Sequence, residues 1–179
     1  MGIPPEEGMR IDPALVNETI LAVDIGNEGG LVFNRAKQSR LGIYRMPEFV
    51  KELWLLVEQI KPTIIIAENV HSMPNQGVVA IGTLMKNRGR LEGVAAAAGI
   101  NPKFIEPLRW MECYTLKRTK HFPTKTQWKN HLIGIAKGLV NENEKPFIDK
   151  RTADAFLIWN FAASQYTTTP MRPLGQFQF

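Results

Sequence analysis

Two short apolar runs, each closed by an acid, constrain this chain more than anything else in it. Ile20-Leu21-Ala22-Val23 runs into Asp24, and Ile64-Ile65-Ile66-Ala67 runs into Glu68. Neither run alternates polar with apolar residues, so a strand made from either needs cover on both faces, as at the centre of a sheet layered between helices. If the two strands are neighbours, both carboxylates project from one rim of that sheet. Gly26, Gly29 and Gly30 after the first run mark a turn.

The rest of the pattern suits an α/β chain. Leu31-Val32-Phe33 and Leu41-Gly42-Ile43-Tyr44 read as two further strands, and with the first they make an antiparallel meander. Pro47 opens a helix whose apolar face is Phe49, Leu53, Leu56, Val57 and Ile60, ended by Lys61-Pro62. Residues 76–98 repeat apolar side chains at helical spacing, through Val78, Ile81, Leu84, Met85, Leu91, Val94 and Ala98, with Gly99 as the stop. Phe104-Ile105 is a fifth strand. Lys125 to Val140 is a helix with Trp128, Leu132, Ile135 and Leu139 on one face, and Thr152 to Ala163 is a helix apolar nearly all round. The expected organisation is an arm over residues 1–18, one domain over 19–166 and an extended tail over 167–179.

A length of 179 residues suits one core, and 44% hydrophobic with 22% charged residues is ordinary globular composition. The formal net charge of +5 and isoelectric point near 9.4 favour a polyanionic partner, nucleic acid first. Cys113 is the only cysteine, and no Cys/His spacing suits zinc, so a reducing cytoplasm is the expected setting. The start, Met1-Gly2-Ile3-Pro4-Pro5, lacks a signal peptide's order, and no apolar run reaches the roughly 18 residues that span a bilayer. No membrane association is expected.

A third acid joins the two at the strand ends. Asp154 stands at the start of the apolar stretch Ala155-Phe156-Leu157-Ile158-Trp159, where burying a carboxylate is costly unless a positive charge offsets it. Three carboxylates offer oxygen ligands to a hard divalent cation, and such clusters can hold two ions roughly 4 Å apart that activate water and stabilise the leaving oxygen of a phosphodiester. Each acid alone also has a structural reading: Asp24 as a turn cap with Gly26, Glu68 as a solvated strand end, Asp154 as a first-turn acid favoured by the helix dipole.

Charge is also segregated. Lys117, Arg118, Lys120, Lys125, Lys129 and Lys137 follow one another with no Asp or Glu between Glu112 and Glu142, and Lys86, Arg88 and Arg90 cluster on the long helix. Tracking of a phosphate backbone is the reading this supports. Trp110 and Trp128 lie in or beside the basic region, with Trp128 better placed for the core.

Taken in order, Ile20 to Gly26, Ile65-Ile66-Ala67-Glu68-Asn69-Val70, the small-residue helix from Gly82 to Gly99, Phe104-Ile105-Glu106-Pro107 and Thr152 to Ile158 resemble the RuvC family of Holliday-junction resolvases, including its divergent phage and mobile-element members, over roughly residues 20–166. The resemblance implies a ribonuclease H-like fold with a mixed five-stranded sheet flanked by helices. It implies an endonuclease that resolves four-way DNA junctions with magnesium, two ions per site and manganese able to substitute. Asp24, Glu68 and Asp154 become metal ligands and Lys125 the lysine near the scissile phosphate. The segregated cations Lys86, Arg88, Arg90, Lys117, Arg118, Lys120 and Lys129 are the expected DNA contacts, and a bacterial or phage-infected cytoplasm the expected setting.

There are departures. The family's second acid or histidine three residues before the helix aspartate is Arg151 here, the wedge position after the strand glutamate is His71, and a lysine after the Pro107 turn is replaced by Met111. His71 is expected near the junction centre. Asp149 is the nearest acid for a fourth ligand, or else a helix cap. Paired cuts need a twofold homodimer, with Gly82, Gly89 and Gly93 as its seam unless those glycines pack the helix on its own sheet. Alternatives are a nuclease of broader branched-DNA specificity and a non-catalytic DNA-binding module on the same fold. An actin-like ATP-binding protein, suggested by Val23-Asp24-Ile25-Gly26-Asn27, needs a much longer chain.

Overall fold

The computed structural model describes residues 10–26, 28–69, 77–114, 116, 122 and 124–167. Five strands form one sheet: β1 (Ile20–Val23), β2 (Gly30–Asn34), β3 (Leu41–Arg45), β4 (Ile64–Glu68) and β5 (Lys103–Ile105), in the order β3-β2-β1-β4-β5. The β1–β2 and β2–β3 pairs are antiparallel, as the meander predicts, while β1–β4 and β4–β5 are parallel. The sheet is therefore mixed, with the two acid-tipped strands side by side at its centre.

Both faces are covered, which is what the uninterrupted apolar runs require. Leu21, Val23, Leu31, Phe33, Ile65 and Ala67 point to one side, where α1 (Val50–Ile60) contributes Leu53, Val57 and Ile60, and α2 (Val78–Ala97) contributes Leu91, Val94 and Ala95. Ile20, Ala22, Val32 and Ile66 point to the other, against α4 (Lys125–Leu139), α5 (Ala153–Ala163) and Trp110 of the short helix α3 (Pro107–Glu112). Strand side chains alternate between faces, so Asp24 follows Ile20 and Ala22, and Glu68 follows Ile64 and Ile66, to the α5 side. Gly30 lets α5 settle there. A Cβ on it would lie 2.6 Å from the Arg151 carbonyl oxygen, in the turn that leads into α5.

Several boundaries differ from the sequence reading. The helix after Pro47 begins at Val50, because the Pro47 carbonyl accepts a hydrogen bond from Arg90 Nη2 at 2.9 Å and is held outside the helix. Phe49, expected on the buried face, is 61% exposed as a result. Glu106-Pro107 opens a helix, Pro107 taking the first helical position, where its missing N–H costs nothing. Val78, Val79 and Met85 are exposed, so the first half of α2 stands clear of the sheet. Gly82, Gly89 and Gly93 face open space, and close packing of that helix face on its own sheet is excluded. The described part of the N-terminal segment lies against the domain: Val16 is fully buried and bridges to Thr167. Among the described residues no helix is long and apolar enough to cross a membrane.

Candidate active site

The parallel register pairs Val23 with Ala67, so the next residues, Asp24 and Glu68, leave the ends of β1 and β4 side by side. Asp24 opens the turn into β2: its Oδ1 accepts from Gly26 N–H at 3.0 Å and its own N–H donates to the Gly30 carbonyl at 2.9 Å. The turn role that Asp24 could have had alone is thus real, and it fixes one carboxylate oxygen while leaving the other. Glu68 is held from α3, where the Trp110 indole N–H donates to its Oε1 at 3.1 Å. Asp154, in the first turn of α5, completes the group from above the sheet face.

Burial and repulsion from neighbouring carboxylates act on Asp24 and Glu68. Desolvation, then the Asp154 charge, raise the Asp24 pKa to about 6, against the pull of Lys129, Gly26 and Lys125. Desolvation, then the Asp24 charge, raise Glu68 to about 7, with the Trp110 hydrogen bond working the other way. Asp154 Oδ1 is buried with no hydrogen-bond partner. Its Oδ2 lies 2.5 Å from the Lys129 ammonium. Burial disfavours charge on Lys129, but Asp154, Asp24 and Glu68 together outweigh it and raise the lysine's pKa.

Lys129, expected from its charge among the DNA contacts, lies beside the three acids, paired with Asp154. It sits about one turn before Leu132 and about two before Ala136, the buried residues of α4, on the stripe that faces α5. A lysine continuing a buried stripe was the available signal. Lys125, expected beside the reacting phosphate, is exposed at the first position of α4, where Thr124 and Gln127 cap each other. Its charge reaches Asp24 and Glu28.

Asp149 does not join the three acids. Its Oδ1 accepts from Arg151 N–H at 2.8 Å and Thr152 N–H at 3.2 Å, and its Oδ2 meets Arg45 Nη2 at 3.0 Å. Oδ1 closes the turn that leads into α5 and Oδ2 ties that turn to β3, while the N-cap position of the helix itself is Thr152. Arg151 turns outward toward Glu28, at 4.0 Å. Arg88 and Arg90 are fasteners rather than a free basic cluster. Arg88 bonds Glu92 at 2.9 Å and Asn69 at 3.0 Å and lies over the Phe104 ring, while Arg90 bonds Asn87 and the Pro47 carbonyl. Lys86 is exposed. Trp128 is half-buried against Phe122 and His131. His71, Lys117, Arg118 and Lys120 lie outside the described residues.

Among the described residues no three acid, histidine or cysteine side chains close tightly enough to enclose an ion as they stand. The chemistry of the donors nevertheless fits a hard divalent cation. All are carboxylate oxygens, repulsion between them is only partly offset by Lys129 and Lys125 and by the Gly26 and Trp110 hydrogen bonds, and one buried oxygen has no partner.

No protein-family model matches the chain, and no curated protein matches it in sequence. The mixed five-stranded sheet flanked by helices is a ribonuclease H-like fold. RuvC of Thermus thermophilus in complex with a Holliday junction substrate is similar at a TM-score of 0.54 and 13% identity, over 82% of this chain and 94% of that one. A further Thermus thermophilus RuvC structure gives 0.48 and 14% over 82% and 95%, and the yeast mitochondrial Holliday junction resolvase Ydc2 gives 0.43 and 15% over 85% and 82%. The chain has a RuvC-like fold.

Proposed function

We propose that this chain is a divalent-metal-dependent endonuclease that cuts branched DNA, with the four-way junction as its preferred substrate. The observation that carries the reading is the gathering of Asp24, Glu68 and Asp154 at one rim of the sheet, in a fold shared with a RuvC in complex with a Holliday junction substrate. The three acids would hold the metal, magnesium by preference with manganese substituting. The bound ion would supply a lowered-pKa water and charge stabilisation at a phosphodiester. Trp110 fixes the rotamer of Glu68, Gly26 that of Asp24, and the net charge of +5 favours the DNA backbone.

A twofold homodimer would supply two such sites for paired cuts. The exposed α2 face with Val78, Val79, Met85 and the open glycines is the surface that supports this. A bacterial or phage-infected cytoplasm is the setting proposed. The second reading is a DNA-binding module that does not cut, and the Lys129–Asp154 pair favours it by satisfying one acid without a metal.

Incubation of the full chain with four-way, three-way, flap and linear duplexes, with magnesium or with chelator, tests the proposal. Symmetric, magnesium-dependent cuts concentrated on the four-way substrate are expected. Equal cutting of all branches would leave a nuclease of broader specificity, and tight binding with no cutting in magnesium or manganese would leave the binding module.

A further inference from the structure

We propose that the Lys129 ammonium takes the place of a second divalent ion, so that each chain loads a single metal. This rests on the reading of the three acids as a metal site and goes beyond it by fixing the number of ions.

The placement of Lys129 is built into the fold. The residue lies on the α4 stripe that packs on α5, its side chain is 25% exposed and that of Asp154 17%, and the Nζ–Oδ2 distance is 2.5 Å. The other ion pairs among the described residues each have at least one partner more exposed than either of these, as in Arg45–Asp149 at 64% and 37% and Lys150–Glu28 at 60% and 55%. Taking an ammonium this far out of water is unfavourable without close anionic partners. Lys129 has three carboxylates within electrostatic reach.

A count of oxygens points the same way. One oxygen on each acid is held by the protein: Asp24 Oδ1 by Gly26, Glu68 Oε1 by Trp110, and Asp154 Oδ2 by Lys129. One oxygen on each remains for a metal, and Asp154 Oδ1 is already buried without a partner. Magnesium is commonly held by one or two carboxylates, with water and phosphate oxygens completing its shell, so three oxygens serve one ion well. A pair of ions about 4 Å apart needs shared and separate ligands at both positions. Asp149, the acid nearest in sequence, is engaged by Arg45 and the backbone, and the position three residues before Asp154 is a cation, Arg151. Charge agrees: three carboxylates less one ammonium leave two negative charges, which a single divalent ion balances.

The test counts ions. Manganese would be located by anomalous diffraction in crystals of the full chain with a non-cleavable four-way junction, and titrated against the free chain by electron paramagnetic resonance. One site per chain is expected in the parent protein and in Lys129→Arg, and a second, weaker site in Lys129→Gln, where Asp154 Oδ2 is released. Two ions per parent chain would overturn the proposal while leaving the nuclease reading intact. No ion at the acids in any form would remove the metal site itself. A Lys129→Gln variant that folds, judged by its circular dichroism, yet still binds a single ion with parental affinity would also overturn it.

Discussion

Asp24 and Glu68 are acids whose folded-state pKa values lie above their ordinary ones, at about 6 and about 7. Raised acids favour the folded state most where they are protonated in both states, below about pH 4, and that contribution is lost as pH climbs through their folded values. Without metal, stability should therefore decline between about pH 4 and pH 7, by an amount on the order of a few kcal/mol at 1.36 kcal/mol per unit. Metal binding needs the ionised acids, so the rise in melting temperature on adding magnesium should be small at pH 5 and large at pH 8. An equal rise at both values would contradict the assignment. Asp149 gives the opposite kind of prediction. An asparagine can accept the same backbone N–H groups, and the Arg45 pair is exposed enough to be worth about 1 kcal/mol or less. Asp149→Asn should keep near-parental stability and cutting, and loss of cutting alone would restore it as a ligand.

The elements are tied to one another by a buried residue that sequence patterning does not single out. Asn34, fully buried at the end of β2, accepts from Ile20 N–H at 3.1 Å and the Trp159 indole at 3.0 Å, and donates to the Glu18 carbonyl at 2.8 Å. It joins β1, β2 and α5. Asn34→Leu strands two buried donors, at about 1–3 kcal/mol each, and should lower the urea midpoint accordingly. A loss under 1 kcal/mol would mean that the contact matters little. What could be read in advance follows the same logic of local against tertiary signals. The central strands and their acids were legible because a β-branched run without polar alternation has few other uses. Asp154 was legible because an acid in an apolar helix needs a reason. Helix α3 was not, being six residues long with a proline at its start that also fits a turn. Nor were Arg88 and Arg90, whose partners Asn69, Phe104 and Pro47 come from distant parts of the chain. Lys129 was read as one more cation in a basic run. Its spacing from Leu132 and Ala136 places it on their stripe, but which acid that stripe meets is set by the packing of α5.

For the whole molecule, the exposed first half of α2 and the excess of positive charge carry separate expectations. Light scattering should report a dimer, free or on a junction, and a monomer in both states would contradict paired sites on the α2 face. Junction affinity should fall steeply with salt as counterions are released, by at least about a hundredfold from about 50 to about 200 mM, and a flat response would mean that backbone phosphates contribute little. The account as a whole rests on three acids acting as one site. Its most direct test compares Asp24→Asn, Glu68→Gln and Asp154→Asn with the parent chain, measuring junction binding and magnesium-dependent cutting on the same preparations. The expected result is that cutting is abolished in each variant while binding is retained or tightened, because a negative charge beside phosphate has been removed. Cutting that survives in all three would contradict the site.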